Sequence, residues 1–346
     1  MNRCFYKISG NITSDLLAFL KETYFSQIVF LVDENTANYC LPLIKADRIE
    51  NALVINIKAG EKHKTLQTVS YIWKSLISNK IDRNALLINL GGGTVTDIGG
   101  FVATTYKRGI SFINIPTTLM SQIDASIGGK NGVNFEGVKN VIGTIMEPDA
   151  IFIYPDFILT QDLRDVKSGF GEMIKHALLT GGGLWEKTQS IKTFDLVRVK
   201  ALIPENIAVK CDFVSKDLYD KNIRHALNLG HSIGHAFEAA ALEEGQTLLH
   251  GEAVMYGVVA ESIIALRKHI MSQKTFDQIV SFIFTHYSPR KMASPEKVVY
   301  YLRNDKKNAF GSFRITLLEE IGRYLIDVKV EAEEITDAIL EYNSIV

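Results

Sequence analysis

Between Gln27 and Tyr154 the chain alternates short runs of aliphatic and β-branched residues with stretches whose apolar residues recur at helical spacing. Strands are expected at Gln27–Val32, Ala52–Ile57, Ala85–Leu90, Ser111–Ile115 and Ala150–Tyr154, with helices such as Thr65–Ser78 and Thr94–Thr105 between them. Alternation of this kind calls for an α/β fold, a parallel sheet with helices on both faces. From Leu163 the pattern becomes helical, at Phe170–Leu179, His231–Ala241, Gly251–Arg267 and Lys274–Phe284, with a late strand pair at Phe313–Leu318 and Tyr324–Val328. Pro148, Pro155 and a helix-start signal at Thr160-Gln-Asp put the boundary between the halves within Pro148–Asp162. The reading is therefore a sheet-bearing domain over residues 1–155 and a mostly α-helical one over 156–346. A ligand site is expected in the cleft between them.

Length and charge narrow the function classes. A chain of 346 residues is too long for one small core. Its 47% apolar and 22% charged content is that of a globular protein. There is no apolar run long enough for a membrane helix. The start MNRCFYKISGNITSDL lacks a signal-peptide core, so a cytoplasmic location is expected. Cys4, Cys40 and Cys211 have neither disulfide nor zinc-site spacing. A net charge of −1 without long basic runs argues against nucleic acid or anionic membrane as partner. Any anion must be met locally.

Two glycine-rich segments provide places for that. Leu87–Asp97 reads as a strand, three glycines and a helix, which suits backbone N–H groups approaching a pyrophosphate. It is not the GxGxxG fingerprint, and a tight turn needing positive φ is the alternative. Ser126–Asn134 sets Lys130 among backbone-permissive residues after Asp124, preceded by Pro116-Thr-Thr and followed by Lys139-Asn140 in another expected loop.

Four of the eight histidines, His225, His231, His235 and His250, fall between Arg224 and Glu252. His231 and His235 are four apart and share a helix face, the spacing at which two imidazoles bind one divalent ion. A third ligand would come from His250 or from a carboxylate elsewhere. Glu172, three residues before Lys175 on an expected helix, is the candidate oxygen ligand. Two imidazoles and a carboxylate leave coordination positions open, which is the pattern of a catalytic site, with zinc or cobalt the natural ions. Asn228 either meets a substrate hydroxyl or caps the following helix.

Taken together, these motifs resemble the 3-dehydroquinate synthase family of sugar-phosphate cyclases. The matching pieces are GEKHKTL at Gly60–Leu66, GGGTVTDIGGFVATTYKRG at Gly91–Gly109 and IPTTLMSQIDASIGGKNGVN at Ile115–Asn134, followed by KNVIGT at Lys139–Thr144, GFGEMIKHALL at Gly169–Leu179, RHALNLGHSIGHAFE and HGEAV. The resemblance implies a Rossmann-like NAD-binding domain followed by a helical metal- and substrate-binding domain, a homodimer, and a small sugar-phosphate substrate. It also implies the shikimate-pathway conversion of 3-deoxy-D-arabino-heptulosonate 7-phosphate to 3-dehydroquinate and phosphate. Zinc or cobalt would be held by Glu172, His231 and His250, which moves His235 from the metal to the substrate. Substrate and catalytic roles are implied for Asp124, Lys130, Asn140, Lys175, Lys210, Arg224, Asn228, His235 and Lys306, with Arg108 reaching the phosphate from a neighbouring subunit. NAD contacts are implied for Asp33, Asn35, Glu61, Lys64, Gly92, Gly93, Asp97, Thr117, Thr118, Lys130, Lys139 and Thr160.

Three features depart from the family pattern. Lys216-Asp-Leu-Tyr219 stands where an Asp-Glu pair is common, GHS replaces GHT, and the segment from His235 to His250 is slightly long. The rival readings are a related cyclase making 2-deoxy-scyllo-inosose or 2-epi-5-epi-valiolone, an iron-type polyol dehydrogenase that releases reduced cofactor, and a silent NAD-binding protein.

Overall fold

The structure, a computed structural model, describes residues 5–44, 46–136, 138–303 and 312–346. Lys306 lies outside the described residues. Two compact units result, one of Met1–Val166 with Lys210–Tyr219 and one of Lys167–Val209 with Asp220–Val346. The first unit thus extends beyond residue 155 and includes a short segment that the sequence reading placed in the helical half. An ion pair ties that segment in, with Lys210 Nζ 2.5 Å from Asp124 Oδ1.

The first unit is built on strands β1 (Tyr6–Ile8), β2 (Ile28–Asp33), β3 (Leu53–Ile57), β4 (Leu86–Gly91), β5 (Ser111–Pro116), β6 (Lys130–Phe135), β7 (Val138–Ile145) and β8 (Ala150–Ile153). Six of them form one parallel sheet in the order β1-β8-β5-β4-β2-β3. Side-chain parity explains why both faces are covered. Val29 and Leu31 of β2 join Leu87 of β4 in a core with the helices Leu66–Ser78 and Gly93–Thr105. Phe30 and Val32 join Leu86, Ile88 and Leu90 in a core with the helix Ile12–Glu22. Each such aliphatic side chain, fully buried, contributes about 1.5–3 kcal/mol. β2 and β4 are neighbours, but the chain visits β3 between them, so the strand order reverses there. In sheets of this class the crevice at the carboxyl ends of such strands is where nucleotides bind.

The expected loops around Lys130 and Lys139-Asn140 are instead the antiparallel hairpin β6–β7. Gly132 faces Gly143 across it, and polar residues break the alternation, so no strand period shows in the sequence. The edge strand β1 has three residues, too few to show a period.

The second unit is helical apart from the hairpin of β9 (Ser312–Glu320) and β10 (Arg323–Glu331). Its centre is the helix His250–Arg267, buried without interruption from Ala253 to Ala265. Glycines let other helices approach this backbone. A Cβ on Gly251 would lie 1.8 Å from the Ser168 carbonyl oxygen, and one on Gly257 would lie 2.0 Å from that of Gly230. No helix among the described residues is long and apolar enough to cross a membrane.

Gly251→Ala should therefore lower stability by about 1–3 kcal/mol, the cost of overpacking. Gly183→Ala, whose Cβ meets nothing within 4 Å, should change it by less than about 0.5 kcal/mol. Urea midpoints of the two variants test this; equal midpoints would contradict the packing account.

Candidate metal centre and nucleotide crevice

The close approaches of the helix His250–Arg267 decide where the second unit's charges meet. Gly251 packs against Ser168, its N–H donating to Ser168 Oγ at 2.9 Å. Ser168 lies on the helix Leu163–Thr180, which carries Glu172 and Lys175. Gly257 packs against Gly230, which precedes the helix His231–Glu243. Glu172, His231 and His250 are thereby gathered at one point.

Glu172 is fully buried, and its Oε1 lies 3.5 Å from His231 Nε2 and 3.4 Å from His250 Nε2. That oxygen has no hydrogen-bond partner among the described residues. Lys175, also buried, forms an ion pair with Oε2. Burial alone would raise the Glu172 pKa, but the Lys175 ammonium and the two imidazoles outweigh it and hold the carboxyl well below its ordinary range. His231 Nδ1 lies 3.1 Å from the Leu229 carbonyl, so Nδ1 carries the proton and Nε2 keeps its lone pair. Burial and Lys175 push the His231 pKa well below ordinary. Burial acts the same way on His250, but the carboxylates of Glu172 and Glu238 prevail and raise its pKa to about 9.

An imidazole lone pair aimed at a buried carboxylate oxygen is a repulsive pairing that a cation between them would reverse. The donor set, one carboxylate and two imidazoles, suits zinc or cobalt and leaves open positions. His235 stands beside it, its ring centroid 5.3 Å from that of His231 and 5.5 Å from that of His250. The nitrogens of His231, His235 and His250 lie within 4.8 Å of one another, so all three imidazoles could reach one ion. His235 is exposed, whereas Glu172 is buried and charged. Arg224 is buried, and Asn228 half-buried, in the tight-helical stretch Ile223–Asn228. The cap of the following helix is Gly230, not Asn228.

In the first unit several of the expected nucleotide residues stand at or just after the carboxyl ends of strands: Asp33 at β2, Glu61 and Lys64 after β3, Gly92 and Gly93 after β4, and Thr117 and Thr118 after β5. Gly91–Gly93 join β4 to the helix Gly93–Thr105, and no side chain caps that helix start. None of these glycines has positive φ, so a strained turn does not explain them. Close approach does: a Cβ on Gly92 would sit 2.9 Å from Thr118 Cγ2. The cradle is lined with backbone N–H groups at a helix start, which fits a pyrophosphate. Thr117 N–H donates to the Gly91 carbonyl at 3.0 Å, holding the ends of β4 and β5 together. Lys64, buried, donates to Asp97 Oδ2 and Asn140 Oδ1, each at 2.5 Å. Burial would lower the Lys64 pKa, but Asp97 and Glu61 prevail and raise it. Asn134 joins this group by donating to Glu61 Oε1 at 2.9 Å and accepting from Asn140 N–H at 2.9 Å. Asp33 is partly engaged in capping the helix Glu34–Tyr39, accepting from Asn35 and Thr36 N–H at 3.0 and 2.8 Å. The Thr160 hydroxyl donates to the Phe157 carbonyl at 2.7 Å. Lys130 and Lys139 are exposed on the β6–β7 hairpin, and Arg108 is exposed at φ 67° in a turn.

Sequence reasoning missed Asn134 and Glu238 as site residues. Glu238 Oε2 lies 3.9 Å from His250 Nδ1. Its position seven residues after His231 and three after His235 puts it on the same helix face, a signal that was available. Asn134 has no comparable spacing signal, since a backbone bridge to Thr65, with its N–H donating to the Lys64 carbonyl at 2.8 Å, brings it in.

Residues 54–168 match the family described as 3-dehydroquinate synthase N-terminal, and residues 169–308 match 3-dehydroquinate synthase C-terminal. A 3-dehydroquinate synthase of Parabacteroides distasonis is 36% identical, with 96% of this chain and 96% of that one covered. The chain belongs to the 3-dehydroquinate synthase family. Among the solved structures that share its fold are two cyclases. One is 2-deoxy-scyllo-inosose synthase complexed with carbaglucose-6-phosphate, NAD+ and Co2+, with a TM-score of 0.88 at 23% identity over 98% of this chain and 97% of that one. The other is 2-epi-5-epi-valiolone synthase from Streptomyces hygroscopicus with NAD+ and Zn2+ bound, with 0.86 at 24% identity over 99% and 97%.

The stretch carrying Arg224 and Asn228 is anchored through His225, whose Nδ1 is 3.0 Å from Asp327 Oδ2 and whose Nε2 is 3.0 Å from the Asp220 carbonyl. Burial would lower its pKa, but these two partners raise it above the ordinary value. A raised folded pKa gives stability that is fully present below pH ~6.5 and lost as pH rises through the folded value. A partly exposed pair of this kind is worth about 0.5 kcal/mol. Asp327→Asn should thus lower Tm by roughly 1–2 °C at low pH and by less at high pH. Melting curves near pH ~5.5 and ~9 check this; a loss that grows with pH would refute the pairing.

Proposed function

We propose that this chain is a working 3-dehydroquinate synthase, a carbon–oxygen lyase that converts 3-deoxy-D-arabino-heptulosonate 7-phosphate to 3-dehydroquinate and phosphate. The observation that carries the reading is Glu172 Oε1, buried, with His231 Nε2 at 3.5 Å and His250 Nε2 at 3.4 Å facing it. These three residues would hold zinc or cobalt. A bound divalent ion there polarises substrate hydroxyls and acidifies them. NAD held in the glycine cradle would supply reversible hydride chemistry at the alcohol carbon.

The chain's own groups account for the rest. Lys175 keeps Glu172 ionised, so Oε1 would meet a cation as a charged ligand. Leu229 fixes the His231 tautomer that leaves Nε2 free to coordinate. His235, exposed beside the cluster, would relay protons to and from the substrate. Asp124 and Lys210, held together, would orient substrate hydroxyls. Lys130, Lys139, Asn140, Arg224 and Lys306 would bind the carboxylate and phosphate, whose charges suit basic and amide donors. The glycine cradle at Gly92 and Gly93, with Asp33, Asn35, Glu61, Lys64, Asp97, Thr117, Thr118 and Thr160, would hold NAD. We further propose a cytoplasmic homodimer in which Arg108 serves the neighbouring subunit's phosphate site, consistent with its exposure.

Phosphate release from the heptulosonate phosphate, followed with NADH absorbance, tests this function. Release should be abolished by a chelator and proceed without net NADH. Net NADH would favour a polyol dehydrogenase, and no release would overturn the proposal. His250→Ala should lose the metal, while His235→Ala should keep it and slow turnover by about 10²–10⁴-fold. Metal analysis of the purified variants checks the assignment; the reverse pattern would make His235 the ligand.

A further inference from the structure

Along its buried length from Ala253 to Ala265 the helix His250–Arg267 carries one charged residue, Glu261, which is 1% exposed. Burying such a group is costly unless a strong donor meets it. The Gly230 N–H meets it, at 2.6 Å from Oε2. The bond is short for an amide donor, as charge-assisted bonds are.

What lies on the other side of that amide gives the contact its meaning. Gly230 N–H and the Leu229 carbonyl belong to one planar peptide group. Glu261 grips the N–H end, and His231 Nδ1 donates to the C=O end at 3.1 Å. Gly230 takes a left-handed conformation at φ 75°, and no side-chain cap of its own restrains it. Its carbonyl accepts from Gly234 N–H at 3.0 Å, starting the helix His231–Glu243. The contact of Gly257 with Gly230, one turn before Glu261, brings the carboxyl within reach. The peptide that orients His231 is therefore held by a residue on the helix that begins with His250.

We propose that Glu261 is a positioning residue for the metal centre, acting through the Leu229–Gly230 peptide on His231. The proposal rests on the metal reading above. Accepting from Gly230 N–H polarises the peptide and makes the Leu229 carbonyl a better acceptor. The Nδ1 proton of His231 is then held more firmly, and Nε2 becomes a stronger donor to a cation. The relay has the logic of a carboxylate–histidine–metal triad with a peptide group inserted between carboxylate and ring.

The test uses full-length apoprotein with Zn2+ or Co2+ alone as probe, titrated against a chromophoric chelator, and ring-nitrogen NMR of His231 without metal. Glu261→Gln keeps an oxygen acceptor but removes the charge, and should weaken metal binding about tenfold. Glu261→Leu removes the acceptor, and should weaken binding by about 100-fold and let His231 populate both neutral tautomers. Added to His231→Ala, neither substitution should cost further affinity. Wild-type affinity and an unchanged His231 tautomer in Glu261→Leu would overturn the proposal, even if its Tm falls. If Glu261→Leu does not fold, Glu261→Gln decides, and wild-type affinity there together with an unchanged tautomer population overturns it. Failure of the wild-type protein to bind either ion would instead count against the metal reading, and the metal-free tautomer measurement would still decide the relay.

Discussion

A carboxylate oxygen buried at the meeting point of two imidazole nitrogens is the constraint on which the second unit depends. Glu172 stays ionised there, against the cost of burial, because the Lys175 ammonium meets its other oxygen and the two imidazoles add to that effect. Coulombic interactions strengthen as water is excluded, so a cation placed between Glu172 and the imidazoles is bound far more firmly than at a surface. Placing the three groups together requires helix backbones closer than side chains allow. Gly251 and Gly257 supply that closeness. The glycines of this unit thus serve the metal centre by what they lack, and Glu261 serves it by fixing the peptide that aims His231.

The first unit solves a different problem by different means. In a parallel sheet buried on both faces the interior strands present polar backbone at their ends, and the reversal between β2 and β4 opens a crevice there. The glycine segment after β4 turns that crevice into a cradle, while Lys64, Asp97, Asn134, Asn140 and Glu61 form a charged and amide-rich wall. Because the two structurally similar cyclases use the same fold at less than a quarter identity, the fold alone does not choose the substrate. On the proposed function, that choice would belong to side chains such as Asn140, His235 and Arg224.

The strands β2, β4, β5 and β8 and the long helices were legible because burial on both faces or along one stripe imposes a period on the sequence. The β6–β7 hairpin was not, because Gly132, Gly143 and exposed polar residues carry no period. In the site, spacing alone favoured His231 and His235 as a ligand pair, since helical neighbours are visible in a sequence. The nearness of Glu172 to His250 depends on backbone contact between helices far apart in the chain, and only the family resemblance anticipated it. Glu261 was invisible for the same reason: the amide it accepts from lies 31 residues away.

Anomalous X-ray scattering at the zinc absorption edge, from crystals grown with the ion, tests the central claim most directly. One peak should lie about 2.0–2.2 Å from a Glu172 oxygen, His231 Nε2 and His250 Nε2, with His235 outside the coordination sphere. A peak bound by His231, His235 and His250, with Glu172 still paired only to Lys175, would contradict the account.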